Sequence, residues 1–178
     1  MLFVIYRVYS KLLRILRKKI FLKKIKSKEN SVTILGKVYV NATNVKIGKN
    51  VTIYPGVYFW GDGEIIIGDN VDIGIGSIIF SKKKVYIGNN TAIAAQTYII
   101  DSNHGIVKDI LINKQPLDVA EDGIFIGNDV WISAGSKIIK GAKINDHVVI
   151  GALSLVNSEI TKNGIAVGIP AKVKKMRE

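Results

Sequence analysis

A branched aliphatic residue occupies every sixth position of this chain from Ile126 onward. The series consists of Ile126, Ile132, Ile138, Ile144, Ile150 and Val156. A period of six matches neither the turn of an α-helix nor the two-residue alternation of a single strand. It is typical of a parallel β-helix, in which each hexad supplies a short strand and a turn and three hexads complete a triangular coil. The sequence therefore predicts an all-β solenoid.

The same period is present earlier in the chain, where Ile-Gly pairs recur at 47–48, 67–68 and 87–88. Their spacing of 20 residues equals three hexads plus a two-residue extension at one corner. Residues 34–173 can be threaded in this way, apart from a stretch between Gly105 and Gly123 that has no hexad phase. We expect residues 105–123 to form a loop extruded from one corner of a solenoid domain over residues 31–176.

Residues 1–30 carry most of the charge imbalance. They hold ten Lys and Arg and one acid, whereas the whole chain holds 26 Lys and Arg and 14 Asp and Glu. Apolar residues recur there at helical spacing beside a row of basic residues, which predicts one amphipathic α-helix. Charges return every three or four residues after Ile5, too often for a transmembrane span of ~20 apolar residues. No small-residue cleavage site follows the apolar run, so a signal peptide is not expected.

Two interpretations of this helix stay open. The basic side can meet anionic lipid headgroups while the apolar side enters the interface, giving peripheral membrane association through residues 1–28. Alternatively, the apolar side packs on the solenoid or on a neighbouring subunit. Nucleic acid is not an expected partner, because no basic groove with interleaved aromatic residues continues into the body. The lack of cysteine excludes disulfides and fits a cytoplasmic location, at the inner face of the cell membrane under the first interpretation.

Three segments, together with the hexad array, resemble a known family. They are IGNDVWISAG (126–135), IGALSLVNSEI (150–160) and AVGIPAKV (166–173). Over about residues 34–176 the chain resembles the hexapeptide-repeat acyltransferases, especially the maltose, galactoside, xenobiotic and polysaccharide O-acetyltransferases. The resemblance implies a left-handed parallel β-helix, a homotrimer with active sites between subunits, acetyl-coenzyme A as acyl donor and a saccharide as acceptor. No metal is expected, because two histidines are too few for the three-imidazole zinc site of the related γ-class carbonic anhydrases.

Acyl transfer to a hydroxyl requires a base, and His104 is the leading candidate. It lies where the hexad phase breaks and the loop departs, and breaks in a regular array commonly host function. A neutral imidazole can take the proton of a hydroxyl as its oxygen attacks a thioester. No Gly-x-Ser-x-Gly elbow or cysteine is present, so we expect direct transfer without an acyl-enzyme. The resemblance places the catalytic histidine after an Asp-x-x-His run, which falls on His104; the alternative is a loop histidine that caps a turn.

Three residues near His104 are further candidates. Asp101 can orient the imidazole, as a carboxylate does in a catalytic triad, or it can be a turn carboxylate bonded to backbone amides. The resemblance implies a polar residue one coil below the histidine, where this chain has Lys82. Asn103 can contact substrate or shape the turn. The other histidine, His147, is expected to be a surface corner residue.

The resemblance also implies a donor site along the last coils. Ala134, Gly135 and Ala152 would line a groove for the pantetheine arm, and one backbone amide would face the thioester oxygen. Trp131 would cover the substrate cleft or pack at the subunit interface. The other donor-site candidates are Asn157, Ser158, Lys172 and Lys175. The two lysines lie where the relatives place basic residues near the 3′-phosphate, and a solvated basic tail is the alternative.

The sequence thus predicts an acetyl-coenzyme A-dependent O-acetyltransferase that acts on a saccharide hydroxyl in surface polysaccharide biosynthesis, with His104 as general base. A serine or amino-sugar acetyltransferase would use the same base and is an alternative. A non-catalytic β-helix scaffold is a second alternative.

Overall fold

The structure is a computed structural model that describes residues 2–178. An N-terminal helix, α1 (Leu2–Lys24), precedes a long series of short strands. The helix ends before the predicted boundary at residue 30, because Lys26 adopts a φ of 55° in the left-handed region. None of the described residues forms a helix with an apolar stretch long enough to span a bilayer.

Most of the strands are two or three residues long, as hexads predict. In chain order they are β1 Thr33–Ile34, β2 Tyr39–Ile47, β3 Thr52–Ile53, β4 Tyr58–Ile67, β5 Asp72–Ile73, β6 Ile78–Phe80, β7 Lys84–Ile87, β8 Ala92–Ile93, β9 Tyr98–Ile100, β10 Ser102–His104, β11 Leu117–Val119, β12 Ile124–Ile126, β13 Trp131–Ile132, β14 Lys137–Ile138, β15 Lys143–Ile144, β16 Val149–Ile150, β17 Leu155–Val156, β18 Glu159–Ile160, β19 Gly164–Gly168 and β20 Ala171–Met176. A 3₁₀ turn over Ile112–Lys114 lies between β10 and β11.

Parallel pairing stacks these strands into three faces. The first face contains β1, β3, β5, β8, β13, β16 and β19. The second contains the first halves of β2 and β4 with β6, β9, β14 and β17, and the third contains their second halves with β7, β12, β15 and β18. The chain therefore forms a β-solenoid of about seven turns, and the predicted β-helix with one N-terminal helix is confirmed.

The interior is a continuous column of aliphatic side chains. In each two-residue strand the second residue points inward and is buried, as Ile53, Ile73 and Ile132 are on the first face. The isoleucines of the series from Ile126 to Ile150 are all fully buried, so the six-residue period reflects stacking of equivalent residues in successive coils. Burial of this column provides the main stabilisation of the solenoid.

Three corners join the faces, and each has its own chemistry. We call the corner between the first and second faces the first corner, that between the second and third faces the second corner, and that between the third and first faces the third corner. The third corner is a ladder of left-handed residues, Asn50, Asn70, Asn90, Asp129, His147 and Asn163. Side-chain amides link neighbouring rungs, with Asn70 Nδ2 donating to Asn90 Oδ1 at 2.9 Å. His147 is thus the surface corner residue that the sequence predicts.

The sequence predicts that the hexad pattern extends to residue 173, but in the structure it ends at β19. After β19 the chain reverses, and β20 runs antiparallel to it with Gly168 opposite Ala171. Gly168 has a φ of 105°, and Pro170 has no N–H to donate to a continued ladder, so the chain turns back at this point.

Candidate active site

The predicted loop leaves the solenoid at the second corner of the fourth coil, which consists of β8, β9 and β12. The chain departs after β9 and rejoins the third face at β12, which pairs with β7 as an uninterrupted coil would. At the base of the loop β10 and β11 form an antiparallel hairpin, in which His104 lies opposite Leu117. The hairpin carries His104 outward from the coil, and its side chain is exposed.

An open cavity of about 650 Å³ lies beside the His104 side chain. The loop supplies the rest of its wall, namely Asp109, Ile110, Leu111, Ile112 and Asn113. Within residues 2–178 the imidazole has no hydrogen-bond partner, so neither ring nitrogen is committed to another group of the chain. A neutral ring in this position can accept a proton from a bound hydroxyl.

The loop exposes several large apolar side chains. Ile106 is 86% exposed and Leu111 is 71% exposed, and Val107, Ile110 and Ile112 are exposed as well. Contiguous exposed apolar side chains mark interaction surfaces more often than isolated ones do. The loop is therefore suited to contact a second molecule.

Asp101 is buried under the loop and does not contact His104. Its Oδ1 accepts a hydrogen bond from the Lys82 amide at 2.7 Å, and its Oδ2 accepts from the amides of Lys83 at 2.8 Å and Lys84 at 2.9 Å. The Ser81 hydroxyl donates to Oδ2 at 3.2 Å. These donors compensate the buried carboxylate, and the geometry is that of a turn carboxylate bonded to backbone amides. Of the two roles considered for Asp101, this arrangement supports the structural one.

Lys82 and Asn103 have other neighbours. The Lys82 Nζ is 2.7 Å from Oδ1 and 2.8 Å from Oδ2 of Asp62, one coil below. The hydrogen bond from Lys82 lowers the pKa of the Asp62 carboxyl. Asn103 is exposed on β10 and lies opposite Asp118. Neither side chain forms a hydrogen bond with the ring in the described chain.

Two features that order the loop were not anticipated from the sequence. The Gln115 side chain accepts a hydrogen bond from the Val107 amide at 2.8 Å and donates to the carbonyls of Val107 at 3.0 Å and Ile110 at 2.8 Å. Lys140, from the next coil, pairs with Asp118 of the hairpin. A lone polar residue and a long-range ion pair leave no periodic signal, so sequence reasoning had no means to find them.

The predicted donor-site residues Ala134, Gly135 and Ala152 lie together at the first corner. In the described chain the amides of Ala134 and Ala152 donate no hydrogen bond, and both residues are exposed. Gly135 has a φ of 72°, and a Cβ there would lie 2.6 Å from the Leu153 Cδ2. The corner therefore offers two free amide donors in successive coils, with the Leu153 side chain packed next to Gly135.

The other predicted residues lie on separate surfaces. Trp131 is exposed on the first face, between Ala92 and Val149 of the adjacent strands. Lys172 and Lys175 are exposed on β20, at the end of the same face. Asn157 and Ser158 are exposed at the second corner, between β17 and β18, two coils beyond the loop.

One chain therefore separates the candidate base from the candidate donor groove. His104 is at the second corner and the free amides of Ala134 and Ala152 are at the first corner, with the second face between them. A side of about five residues spans ~16 Å, which exceeds the reach of an imidazole.

Comparison with known proteins confirms the resemblance to hexapeptide-repeat proteins that the sequence predicts. Residues 123–158 match the family model of bacterial transferase hexapeptide (six repeats). The chain resembles hexapeptide-repeat acyltransferases, as predicted.

Curated relatives match parts of the chain. A putative lipopolysaccharide biosynthesis O-acetyl transferase, WbbJ of Escherichia coli K12, is 32% identical over 89 residues, which cover 47% of this chain and 45% of that protein. The galactoside O-acetyltransferase of the same organism is 46% identical over 50 residues, or 28% of this chain and 25% of that protein. The matched segments thus span less than half of these relatives.

Solved structures match almost the whole chain. AntD, an N-acyltransferase from Bacillus cereus in complex with dTDP and 3-hydroxybutyryl-CoA, has a TM-score of 0.76 at 20% identity over 90% of this chain and 88% of that one. A maltose O-acetyltransferase from Clostridium difficile 630 has a TM-score of 0.54 at 26% identity over 96% of this chain and 88% of that one. The first similarity establishes the fold alone.

Proposed function

We propose that this protein is an acetyl-coenzyme A-dependent O-acetyltransferase that acts on a saccharide hydroxyl in surface polysaccharide biosynthesis. The observation that carries the proposal is the uncommitted imidazole of His104, which borders an open cavity where the hexad array is interrupted. The similarity to sugar and lipopolysaccharide O-acetyltransferases supports the reaction class and the acceptor class. The lack of cysteine fits a cytoplasmic enzyme.

In the proposed reaction His104 acts as general base. As the acceptor oxygen attacks the thioester carbonyl carbon, the O–H bond breaks and its proton passes to an imidazole nitrogen. The tetrahedral intermediate then collapses, the C–S bond breaks, and the imidazolium returns the proton to the departing sulfur. A free amide of Ala134 or Ala152 is suited to donate a hydrogen bond to the carbonyl oxygen as negative charge develops there.

The active unit in this proposal is a homotrimer with sites between subunits. The base and the donor groove occupy different corners of one chain, so the site is assembled from two copies. The exposed apolar loop residues supply a surface that a neighbouring copy would bury, which the monomer leaves in water. A closed cyclic assembly would give each copy one base and one groove.

Donor binding is assigned to the first corner and the C-terminal strand. Free amides hold the pantetheine arm, and the ammonium groups of Lys172 and Lys175 pair with the 3′-phosphate of the coenzyme. In support, the solved relative AntD holds an acyl-CoA on the same fold.

An amine acceptor is the second candidate function. AntD is an N-acyltransferase, and its fold matches this chain along most of its length. The same base would serve an amino-sugar acceptor, whose amine must be deprotonated as it attacks.

The decisive experiment incubates the full-length protein with acetyl-coenzyme A and a panel of sugars, amino sugars and serine. Release of free thiol gives the rate, and mass spectrometry identifies the acetylated product. We expect His104→Ala to lower the rate by roughly 10²–10⁴-fold with the assembly intact. The matched control is His147→Gln, which alters the other histidine on a surface corner and should retain activity. Unchanged activity in His104→Ala would exclude His104 as the general base. No transfer to any acceptor by the wild-type protein would favour the scaffold alternative.

A further inference from the structure

The N-terminal helix meets the solenoid through its C-terminal end. Phe21 and Leu22 are buried in the core cluster, and the Phe21 ring lies 6.1 Å from the ring of Phe59, centroid to centroid. The preceding turns leave large apolar side chains in water, namely Phe3, Ile5, Tyr6, Val8, Tyr9, Leu12, Ile15, Leu16 and Ile20. The helix therefore carries an apolar surface that its own chain does not cover.

Two rows of opposite character run along α1 with the same spacing. Arg7, Lys11, Arg14 and Lys18 form the basic row, and Ile5, Tyr9, Leu12 and Leu16 form the apolar row. The rows are offset by two residues, and two residues rotate a helix by about 200°. They therefore lie on opposite sides of the helix.

The contacts of α1 with the solenoid define which side of the helix faces it. Leu22 follows Lys18 by four residues, so it extends the basic row by one turn, and it is buried against the core. The Lys18 ammonium donates to the backbone oxygen of Asn30, in the segment that connects α1 to the first coil. The basic row thus lies on the side of the helix that turns to the body, and the apolar row points away from it. Packing of the apolar row on the solenoid of the same chain is excluded.

The charge of the helix identifies the partner. From Leu2 to Lys24 the helix holds eight Lys and Arg and no Asp or Glu. Lys19 and Arg17 lie on either side of the apolar row, about 50° and about 110° from its centre. Their long side chains can reach headgroups while aliphatic and aromatic groups enter the interface. An apolar row flanked by cations is complementary to an anionic lipid surface.

We infer that α1 docks the protein on an anionic bilayer, with its apolar row in the interface and the first coil of the solenoid toward the membrane. This inference goes beyond acyl transfer and does not depend on it. If the proposed function also holds, the active site faces acceptors held at the membrane surface.

The test is co-sedimentation of the full-length protein with vesicles. One set contains phosphatidylcholine alone and the other contains roughly a third phosphatidylserine. We expect stronger binding to the second set, weakened by salt. Tyr9→Gln with Leu16→Gln, both in the apolar row, should lower the affinity by about tenfold or more.

The matched control is Val8→Gln with Ile15→Gln, two exposed apolar residues one position earlier on the helix and about 100° away from the first pair. This control should lower vesicle affinity by less than about threefold.

Equal loss in both variants, or no preference for anionic vesicles, would overturn the inference. A change in oligomer mass in Tyr9→Gln with Leu16→Gln, with vesicle binding retained, would assign the row to a second copy instead. Binding to duplex DNA that survives both variants, without vesicle binding, would assign the charge to nucleic acid. Vesicle binding does not require acyl transfer, so failure of the membrane inference can be distinguished from failure of the proposed enzymatic function.

Discussion

The carboxylate of Asp101 and the backbone amide of Lys82 are joined by a hydrogen bond of 2.7 Å. The bond ties the first residue after β9 to the second corner of the preceding coil. The Asp101 side chain accepts further hydrogen bonds from Ser81, Lys83 and Lys84. It therefore holds the start of the loop against the second corner of the preceding coil. The loop that presents His104 is thus anchored by a residue whose role is structural.

Replacement of Asp101 should destabilise the fold. Asp101→Ala leaves three backbone amides without their acceptor, whereas the Ser81 hydroxyl can still donate to the Glu64 carbonyl at 3.0 Å. We therefore expect a loss of at least about 3 kcal/mol in the free energy of unfolding. Thermal unfolding followed by circular dichroism measures it, and amide exchange of residues 82–84 should accelerate. Asp72→Ala, at an exposed position of β5, is the control and should change stability little. Similar stability of the two variants would contradict the anchoring role.

Gly123 should resist substitution where the loop rejoins the coil. Its φ is 76°, and an added Cβ would overlap the backbone oxygen of Lys84. Gly76 has a φ of 67°, but the nearest atom to an added Cβ there is 3.9 Å away. Gly76→Ala should therefore cost about 1–2 kcal/mol from left-handed strain, and Gly123→Ala should cost more than about 3 kcal/mol. Equal melting temperatures in the two variants would show that the return of the loop can relax.

The third corner should contribute a pH-dependent term to stability. The His147 ring, 2.9 Å away, and then Arg177, also 2.9 Å away, donate hydrogen bonds that lower the pKa of the Asp129 carboxyl below its usual 3.8. A lowered folded pKa means that the stabilisation is present above pH 3.8 and is lost as the pH falls through the folded value. The group is half-exposed, so we expect less than about 1 kcal/mol, weakened by salt. Urea midpoints of wild type and Asp129→Asn should differ at neutral pH and converge in acid; a constant difference would refute the link.

The two candidate phosphate ligands should affect donor affinity. Lys172→Gln with Lys175→Gln should raise the KM for acetyl-coenzyme A about tenfold, since a hydrogen bond to a charged group is worth roughly 1.5–3 kcal/mol. Lys174→Gln lies on the same strand and serves as the control. With acetyl-3′-dephospho-coenzyme A as donor, the double variant and wild type should have the same KM. A persistent difference with that donor would exclude a contact to the 3′-phosphate.

The loop should hold the proposed trimer together. Wild-type protein should have three times the chain mass of 19.5 kDa by light scattering. Leu111→Asp, at an exposed apolar position of the loop, should shift the mass toward that of one chain, because a charge there would be buried without a partner. Lys114→Gln is the control in the same loop. A wild-type monomer with full activity would contradict assembly of the site from two copies.

Periodicity explains why much of the fold could be predicted. Stacked coils place Ile126, Ile132 and Ile138 in equivalent inward positions on successive faces, so each hexad repeats the same constraint and the signal accumulates along the chain. The loop was located because it interrupts that signal. His147 could be placed at a corner because its neighbours in the ladder occupy the same position of earlier coils.

The candidate site was less predictable, because its contacts are made between coils and occur once. The donors to Asp101 come from the corner below, and the sequence alone left its two roles open. Lys82 was expected near the histidine but pairs with Asp62, since the two side chains stack on one corner. Gln115 was not recognised at all.

By itself, the sequence determined the solenoid, the position of the loop and the amphipathic character of the first helix, because each is a repeated local pattern. Only the tertiary structure decided that the apolar row of that helix points away from the body, and that His104 and the free amides of Ala134 and Ala152 lie on different corners. These relationships depend on how coils stack and where the chain reverses, which involves residues distant in sequence. Hydrogen bonds and burial then select one arrangement among those that the local pattern permits.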